Sequence, residues 1–135
     1  MRGEEQDLRD PDPEIEKWAH EVIGAAIEVH RHLGPGYLET VYQKALQIEL
    51  SLRNVPFTPQ KPVNLFYKGH PVGEGFIDIL VADSLVVELK AVDALAGIHK
   101  AQVISYLQAT GLHLGLLINF KVTILKNGLQ RVIRS

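Results

Sequence analysis

Residues 72–90, VGEGFIDILVADSLVVELK, hold two apolar runs on either side of Ala82-Asp83-Ser84, and this pattern leaves the chain few ways to fold. Short runs rich in β-branched residues, broken by a small polar turn, predict two antiparallel strands. With Asp83 at the tip of the turn, Asp78 lies opposite Glu88. Side chains alternate along a strand, so Glu88 and Lys90 share a face with Asp78. The other face, Ile77, Ile79, Val81, Leu85, Val87 and Leu89, is entirely apolar and is expected to pack on a helix. Phe76 and Leu80 flank Asp78, and Val86 precedes Glu88, so three charges sit among apolar neighbours on strands that read as central.

Charges in such a setting are costly unless paired or bound to a metal. Two carboxylates about 4 Å apart repel by about 1 kcal/mol in water and about 4 kcal/mol at an effective dielectric of about 20. Lys90 offsets one of them. A divalent cation offsets both, and hard carboxylate oxygens suit Mg²⁺ or Mn²⁺. Such an ion polarises a phosphoryl oxygen and generates hydroxide near neutral pH, while a lysine stabilises developing negative charge. A structural ion-pair triad on a solvated sheet face meets the same constraint, and spacing alone leaves both readings open.

The rest of the chain supplies the frame. Residues 1–12 are polar and acidic and read as a flexible leader without the basic and apolar regions of a signal peptide. Ile15, Trp18, Ala19, Val22, Ile23, Ala26, Ile27 and Leu33 follow helical spacing until Gly34-Pro35-Gly36 stops them. A second helix is predicted from about Tyr37 to Leu52, with Leu38, Val41, Tyr42, Ala45, Leu46 and Leu50 inward. Pro56, Pro59 and Pro62 mark an extended connection into a strand at 63–67, followed by the Lys68-Gly69 turn. Residues 94–110 read as a helix closed by Gly111, and LGLLIN (114–119) as a buried strand. VTILK, Asn127-Gly128 and LQRVI carry the signal of a final hairpin. The predicted order is ααβββαβββ, an α/β (α+β, mixed-sheet) chain with one domain over 13–135.

Composition narrows the function classes. With no cysteine, disulfides and thiolate zinc sites are excluded, and a reducing cytoplasm is the expected setting. No apolar run reaches the length of a membrane span. A net charge of −2 lacks the basic excess of a DNA-coating protein, so nucleic-acid contact has to be local, metal-assisted or supplied by a partner. Lys121, Lys126, Arg131 and Arg134 bias the C-terminal hairpin towards a solvated basic edge. His30 and His32, two apart on a helix, make a poor metal pair. His99 precedes Gln102 by three residues and is placed to approach the same site, with exposed helix surface as its plainer reading. No Ser/His/Asp arrangement and no phosphate-binding glycine loop occurs.

Two motifs carry a family resemblance. Ile77-Asp78 followed by Glu88-Leu89-Lys90 resembles the D-x(n)-(D/E)-x-K signature of the PD-(D/E)XK nuclease superfamily, with Ile at the position of the motif's Pro. Gly36-Tyr37-Leu38-Glu39-Thr40-Val41-Tyr42 matches the G-x-x-E-x-x-Y motif that names the GxxExxY family within that superfamily. The segments GEGFID, VVELKAV and AQVISYLQATGLHLGLLINF resemble the same family, and the likeness spans roughly residues 14–126. It implies a restriction-endonuclease-like αβββαβ core with an extra N-terminal helix and a C-terminal hairpin. It also implies Asp78, Glu88 and Glu39 as metal ligands, with the Leu89 carbonyl as a further one and Lys90 catalytic. Gln102 and Tyr106, matching a Q-x-x-x-Y motif, are implied to position substrate together with Tyr42.

The activity implied is an Mg²⁺- or Mn²⁺-dependent nuclease acting on DNA, with RNA as a second substrate. Each added residue has a plainer role: Glu39 favours a helix N-terminus, Tyr42 suits a core with a tethered hydroxyl, and Gln102 and Tyr106 suit a helix pair. The alternative function is a catalytically weak or inactive nuclease-fold module acting through a protein or nucleic-acid partner. A homodimer is compatible with either.

Overall fold

A computed structural model describes residues 12–134. The leader expected over 1–12 lies outside the described residues except for Asp12, whose side chain accepts the Glu14 N–H at 2.7 Å and caps the first helix. That helix, α1 (Pro13–Leu33), has Pro in its first turn and ends at Gly34, which holds φ at +72°. α2 (Glu39–Leu52) follows, then β1 (Phe57–Tyr67), β2 (His70–Val81), β3 (Leu85–Lys90), α3 (Gly97–Thr110) and β4 (Leu114–Asn119). A 3₁₀ turn (Leu125–Gly128) leads into β5 (Leu129–Ile133).

The strands form one sheet in the order β1-β2-β3-β4-β5. β3 and β4 are parallel and joined by α3, and the other neighbours are antiparallel. β4 is buried along its whole length, as a parallel strand covered on both faces must be. α1 and α2 cover one face through Ala19, Val22, Leu46 and Leu50, packed over Ile79, Val81, Leu85, Val87 and Leu89. α3 covers the other through Val103 and Leu107, packed over Leu80, Val86 and Leu117. Among the described residues no helix is long and apolar enough to cross a membrane.

The β2–β3 hairpin has the predicted register, with Ile79 facing Val87, Leu80 facing Val86 and Val81 facing Leu85. One expectation fails beside it. Ile77 does not join the α1/α2 face but packs with Val63, Leu80 and Val103 on the α3 side. The alternation reverses between Ile77 and Ile79, where Asp78 sits opposite Gln60 in β1, and Gln60 holds a left-handed φ of +49°. That conformation costs a non-glycine residue about 1–2 kcal/mol, so the surrounding sheet must hold it in place.

The final hairpin also differs. An antiparallel pair does form, but between LGLLIN and LQRVI, with Ile118 facing Leu129. VTILK is the connection, because Leu125 drops into the core beside α1 and Gly128 packs against Asn119. A Cβ on Gly128 would stand 2.2 Å from the Asn119 carbonyl oxygen. His30 reinforces this path by donating from Nε2 to the Val122 carbonyl at 2.7 Å.

Candidate functional site

The ladder between β2 and β3 ends at Ile79 and Val87, one step before the two carboxylates. Beyond that point side chains replace the missing backbone partners. The Asp78 N–H donates to Glu88 Oε1 at 3.2 Å, and the Leu89 N–H donates to Asp78 Oδ2 at 2.8 Å. The Asp78 carbonyl accepts Gln43 Nε2–H from α2 at 3.1 Å. The Asp78 N–H and carbonyl and the Leu89 N–H thereby find partners outside the ladder. The same bonds leave Asp78 Oδ1 and Glu88 Oε2 uncommitted to the backbone.

Glu88 is 3% exposed, and its carboxyl is pushed up to about 9. Burial is the main cause, followed by the charge of Asp78 and a carboxyl–carboxyl hydrogen bond with it. The Asp78 N–H and the Lys90 ammonium oppose the shift without overcoming it. Glu39, in the first turn of α2, is half-buried and raised above the usual carboxylate range. Burial again leads, Lys90 and His99 oppose it, and Asp78 adds to it. Asp78, Lys90 and His99 therefore lie within electrostatic reach of Glu39, where the C-terminal end of β3 meets the starts of α2 and α3.

Behind Lys90 stands a residue that the sequence reading missed. Asn119, 2% exposed at the end of β4, accepts the Val92 N–H at 3.1 Å and donates to the Val92 carbonyl at 2.9 Å. It also accepts the Lys121 N–H at 3.3 Å. With the Phe120 N–H bonded to the Lys90 carbonyl at 2.9 Å, this clamps the chain leaving β3. The available signal was an amide closing an otherwise apolar buried strand, since a buried Asn has to find partners for both ends.

The remaining expected residues are placed differently. Tyr42 is fully buried and stacked on Phe120 with ring centroids 4.5 Å apart. Its hydroxyl donates to the Gly34 carbonyl and accepts the Tyr37 N–H at 3.1 Å. The hydroxyl of Tyr42, expected to position substrate, here clamps the α1–α2 turn. Gln102 is exposed on α3 and makes no hydrogen bond with Tyr106. The Tyr106 ring lies over Gly75 of β2, where a Cβ would stand 2.7 Å from Tyr106 Cε1. His99 accepts the Ala96 N–H on Nδ1 at 3.0 Å and so caps α3. Three of the four C-terminal basic residues are occupied: Lys121 pairs with Asp93 at 2.6 Å, Arg131 with Glu16, and Arg134 donates to the Leu112 carbonyl at 2.8 Å.

Among the described residues no three His, Cys, Asp or Glu side chains are grouped closely enough to form a metal cage. The adjacent pair still fits a hard divalent cation. Two carboxylates share one site, one of them buried, and neither makes an ion pair among the described residues. An oxygen-binding cation would offset both the burial and the Asp78 charge that together raise the Glu88 carboxyl.

A family model described as the PD-(D/E)XK nuclease superfamily matches residues 16–132, a span containing both carboxylates, Lys90 and every element of the sheet but the last residue of β5. No curated protein matches the chain, and no solved structure does. The mixed five-stranded sheet with helices on both faces is consistent with a restriction-endonuclease-like fold. By the extent of that match, the chain belongs to the PD-(D/E)XK nuclease superfamily.

Proposed function

We propose that the chain is a metal-dependent nuclease of the GxxExxY type that hydrolyses phosphodiester bonds in DNA, with RNA as the second substrate to test. The observation that carries this reading is the opened β2–β3 ladder, which sets a buried Glu88 beside Asp78 without a compensating ion pair. Nucleases of this superfamily generally use divalent metals. Asp78 and Glu88 would hold Mg²⁺ or Mn²⁺ through the oxygens not bonded to backbone, with the Leu89 carbonyl as a further donor. The cation, when bound, polarises the phosphoryl oxygen and acidifies its water.

The chain's own residues supply the rest. Lys90 would place positive charge beside the phosphoryl oxygens, which gather negative charge as the phosphorus becomes five-coordinate. Glu39, held above the ordinary carboxylate range by burial, is suited to take a proton from the attacking water. Gln102 and Tyr106 on α3 would contact the strand being cut. The test is cleavage of labelled DNA and RNA oligonucleotides by purified protein in Mg²⁺, Mn²⁺ or EDTA, against Asp78→Ala and Lys90→Ala. Loss of cleavage by at least about 100-fold in both variants is expected. Unchanged metal-dependent cleavage by Asp78→Ala would sink the assignment.

One observation favours a second reading, a catalytically weak or inactive binding module. Only two carboxylates stand together among the described residues. Calorimetry showing no Mg²⁺ or Mn²⁺ binding, in protein that still binds an oligonucleotide, would establish that reading.

A further inference from the structure

The end of the β3–β4 ladder is built in an unusual way. Backbone groups alternate along a strand, so Lys90 and then Val92 turn theirs towards β4, while Leu89 turns its N–H towards β2. The bonds agree: the Phe120 N–H donates to the Lys90 carbonyl at 2.9 Å, and the Leu89 N–H donates to Asp78. The next rung would join Val92 to the backbone beyond Phe120. That backbone bends away over 121–124 towards α1, where the Val122 carbonyl bonds to His30. The Asn119 amide fills the gap, donating from Nδ2 to the Val92 carbonyl at 2.9 Å and accepting the Val92 N–H on Oδ1 at 3.1 Å. An Asn amide offers the same donor and acceptor as a peptide group, so a side chain carries the ladder one step past Lys90.

Lys90 is thereby held from both sides, by β3 before it and by Val92 after it. Its register partner in β4 is Asn119, and paired residues of neighbouring strands point to one face, which Glu88 shares two residues back. Lys90 makes no ion pair among the described residues, so its reach is set by the backbone on which it stands. Its charge acts on both Glu88 and Glu39. The loop after Lys90 has one other tie, the 2.6 Å pair between Lys121 and Asp93. Those side chains are 51% and 90% exposed, and water screens them. Asn119 is 2% exposed, and removing its amide would strand two peptide groups of Val92 without partners. The buried amide, not the surface pair, is what fixes the loop.

We propose that Asn119 is a positioning residue for Lys90: by standing in for a peptide group beyond the end of β3, it keeps the lysine from swinging with a frayed strand end and presents its ammonium beside Asp78 and Glu88. In the nuclease read above, on which the kinetic half of this inference rests, loss of Asn119 slows the chemical step. It leaves metal binding intact, because Asp78 and Glu88 are held by β2 and β3 and not by the loop.

The experiment has one readout that needs no activity. Protein with isotope-labelled lysine is studied by NMR in EDTA, and the Lys90 Cε signal is assigned by its loss in Lys90→Arg. That signal is expected to stand apart from the exposed lysines in wild type and Lys121→Ala, and to move onto them in Asn119→Ala, each variant being checked by thermal melting. If Asn119→Ala does not fold, Asn119→Asp replaces it, since it keeps the volume and the acceptor but lacks the donor to the Val92 carbonyl. A folded Asn119 variant with the wild-type Lys90 signal would overturn the proposal. The second readout is cleavage of a DNA oligonucleotide in Mn²⁺. The variant is expected to lose about 10- to 100-fold in kcat with Mn²⁺ affinity by calorimetry unchanged, and to add nothing to the loss in Lys90→Ala. A loss that adds in full to that of Lys90→Ala would also overturn it, because Asn119 would then act through another group. If wild type does not cleave, or Lys90→Ala cleaves equally well, the nuclease reading fails and the Lys90 signal alone decides whether Asn119 holds the lysine.

Discussion

Replacing Glu88 by Gln should make the metal-free protein more stable, although it alters a residue proposed to hold metal. The Glu88 carboxyl is raised from its ordinary 4.5 to about 9. Near neutral pH it is therefore protonated in the fold and ionised in the unfolded chain. Its neutral form is the one the fold favours, so this contribution is fully present below about pH 4.5 and is lost as pH rises towards about 9. Each unit between the unfolded pKa and the working pH costs about 1.4 kcal/mol, which gives about 3 kcal/mol at neutral pH as an upper bound. Gln keeps an oxygen for the Asp78 N–H, offers an N–H to the Asp78 carboxylate, and cannot ionise. In EDTA near neutral pH, Glu88→Gln should exceed wild type by about 2–3 kcal/mol, or roughly 10 °C in Tm, with the gap closing towards pH 5. Mn²⁺ should raise the Tm of wild type and leave that of the variant unchanged. Equal or lower Tm for the variant across the whole pH range in EDTA would refute the reasoning, because Glu88 would then have to be ionised and well solvated.

Tyr42→Phe removes the hydroxyl that bridges the Gly34 carbonyl and the Tyr37 N–H, and should cost about 1–2 kcal/mol in urea unfolding. Cleavage per folded molecule should stay at the wild-type level, because the hydroxyl faces the α1–α2 turn. Gln43→Ala strips the donor from the Asp78 carbonyl and should weaken Mn²⁺ binding about 10- to 100-fold by calorimetry, as loss of an outer-shell partner does. Its melting temperature should fall by only a few degrees, since Gln43 is half-buried and water can replace it.

The central hairpin was legible because alternation and a three-residue turn fix register together, and a one-residue slip would have turned every apolar side chain outward. The helix pair was legible for a similar reason, with Gly34-Pro35-Gly36 closing a periodic run. Ile77 was misplaced because the reversal depends on Gln60 adopting a left-handed conformation, and glutamine carries no mark of that. The Asn127-Gly128 dipeptide is a strong hairpin signal by local chemistry. It was overridden by tertiary packing, with Leu125 entering the core and Gly128 fitting against Asn119. For Tyr42, spacing placed the ring inward, but the partner of its hydroxyl depends on the bend at Gly34. Asn119 escaped notice because LGLLIN was read for its apolar side chains, while its last residue holds the loop behind Lys90.

The irregularity at Gln60 and Asp78 links the site to the part of β1 and β2 that runs past the end of β3. In a regular ladder Asp78 and Glu88 would face each other as a like-charged cross-strand pair, an arrangement that destabilises a sheet. Regular alternation from Leu80 would also carry Phe76 and Glu74 beneath α3 and turn Gly75 and Ile77 away from it. The reversal undoes both. It breaks the backbone pairing at Asp78, so that the two carboxylates bond to backbone N–H groups instead of stacking as a bare pair. It also brings Gly75 under Tyr106, where only a glycine fits, and sends Phe76 to the uncovered face. Gln60 and Asp78 thus form one structural joint that sets both the geometry of the carboxylates and which side chains the outer half of the β1–β2 pair turns away from α3.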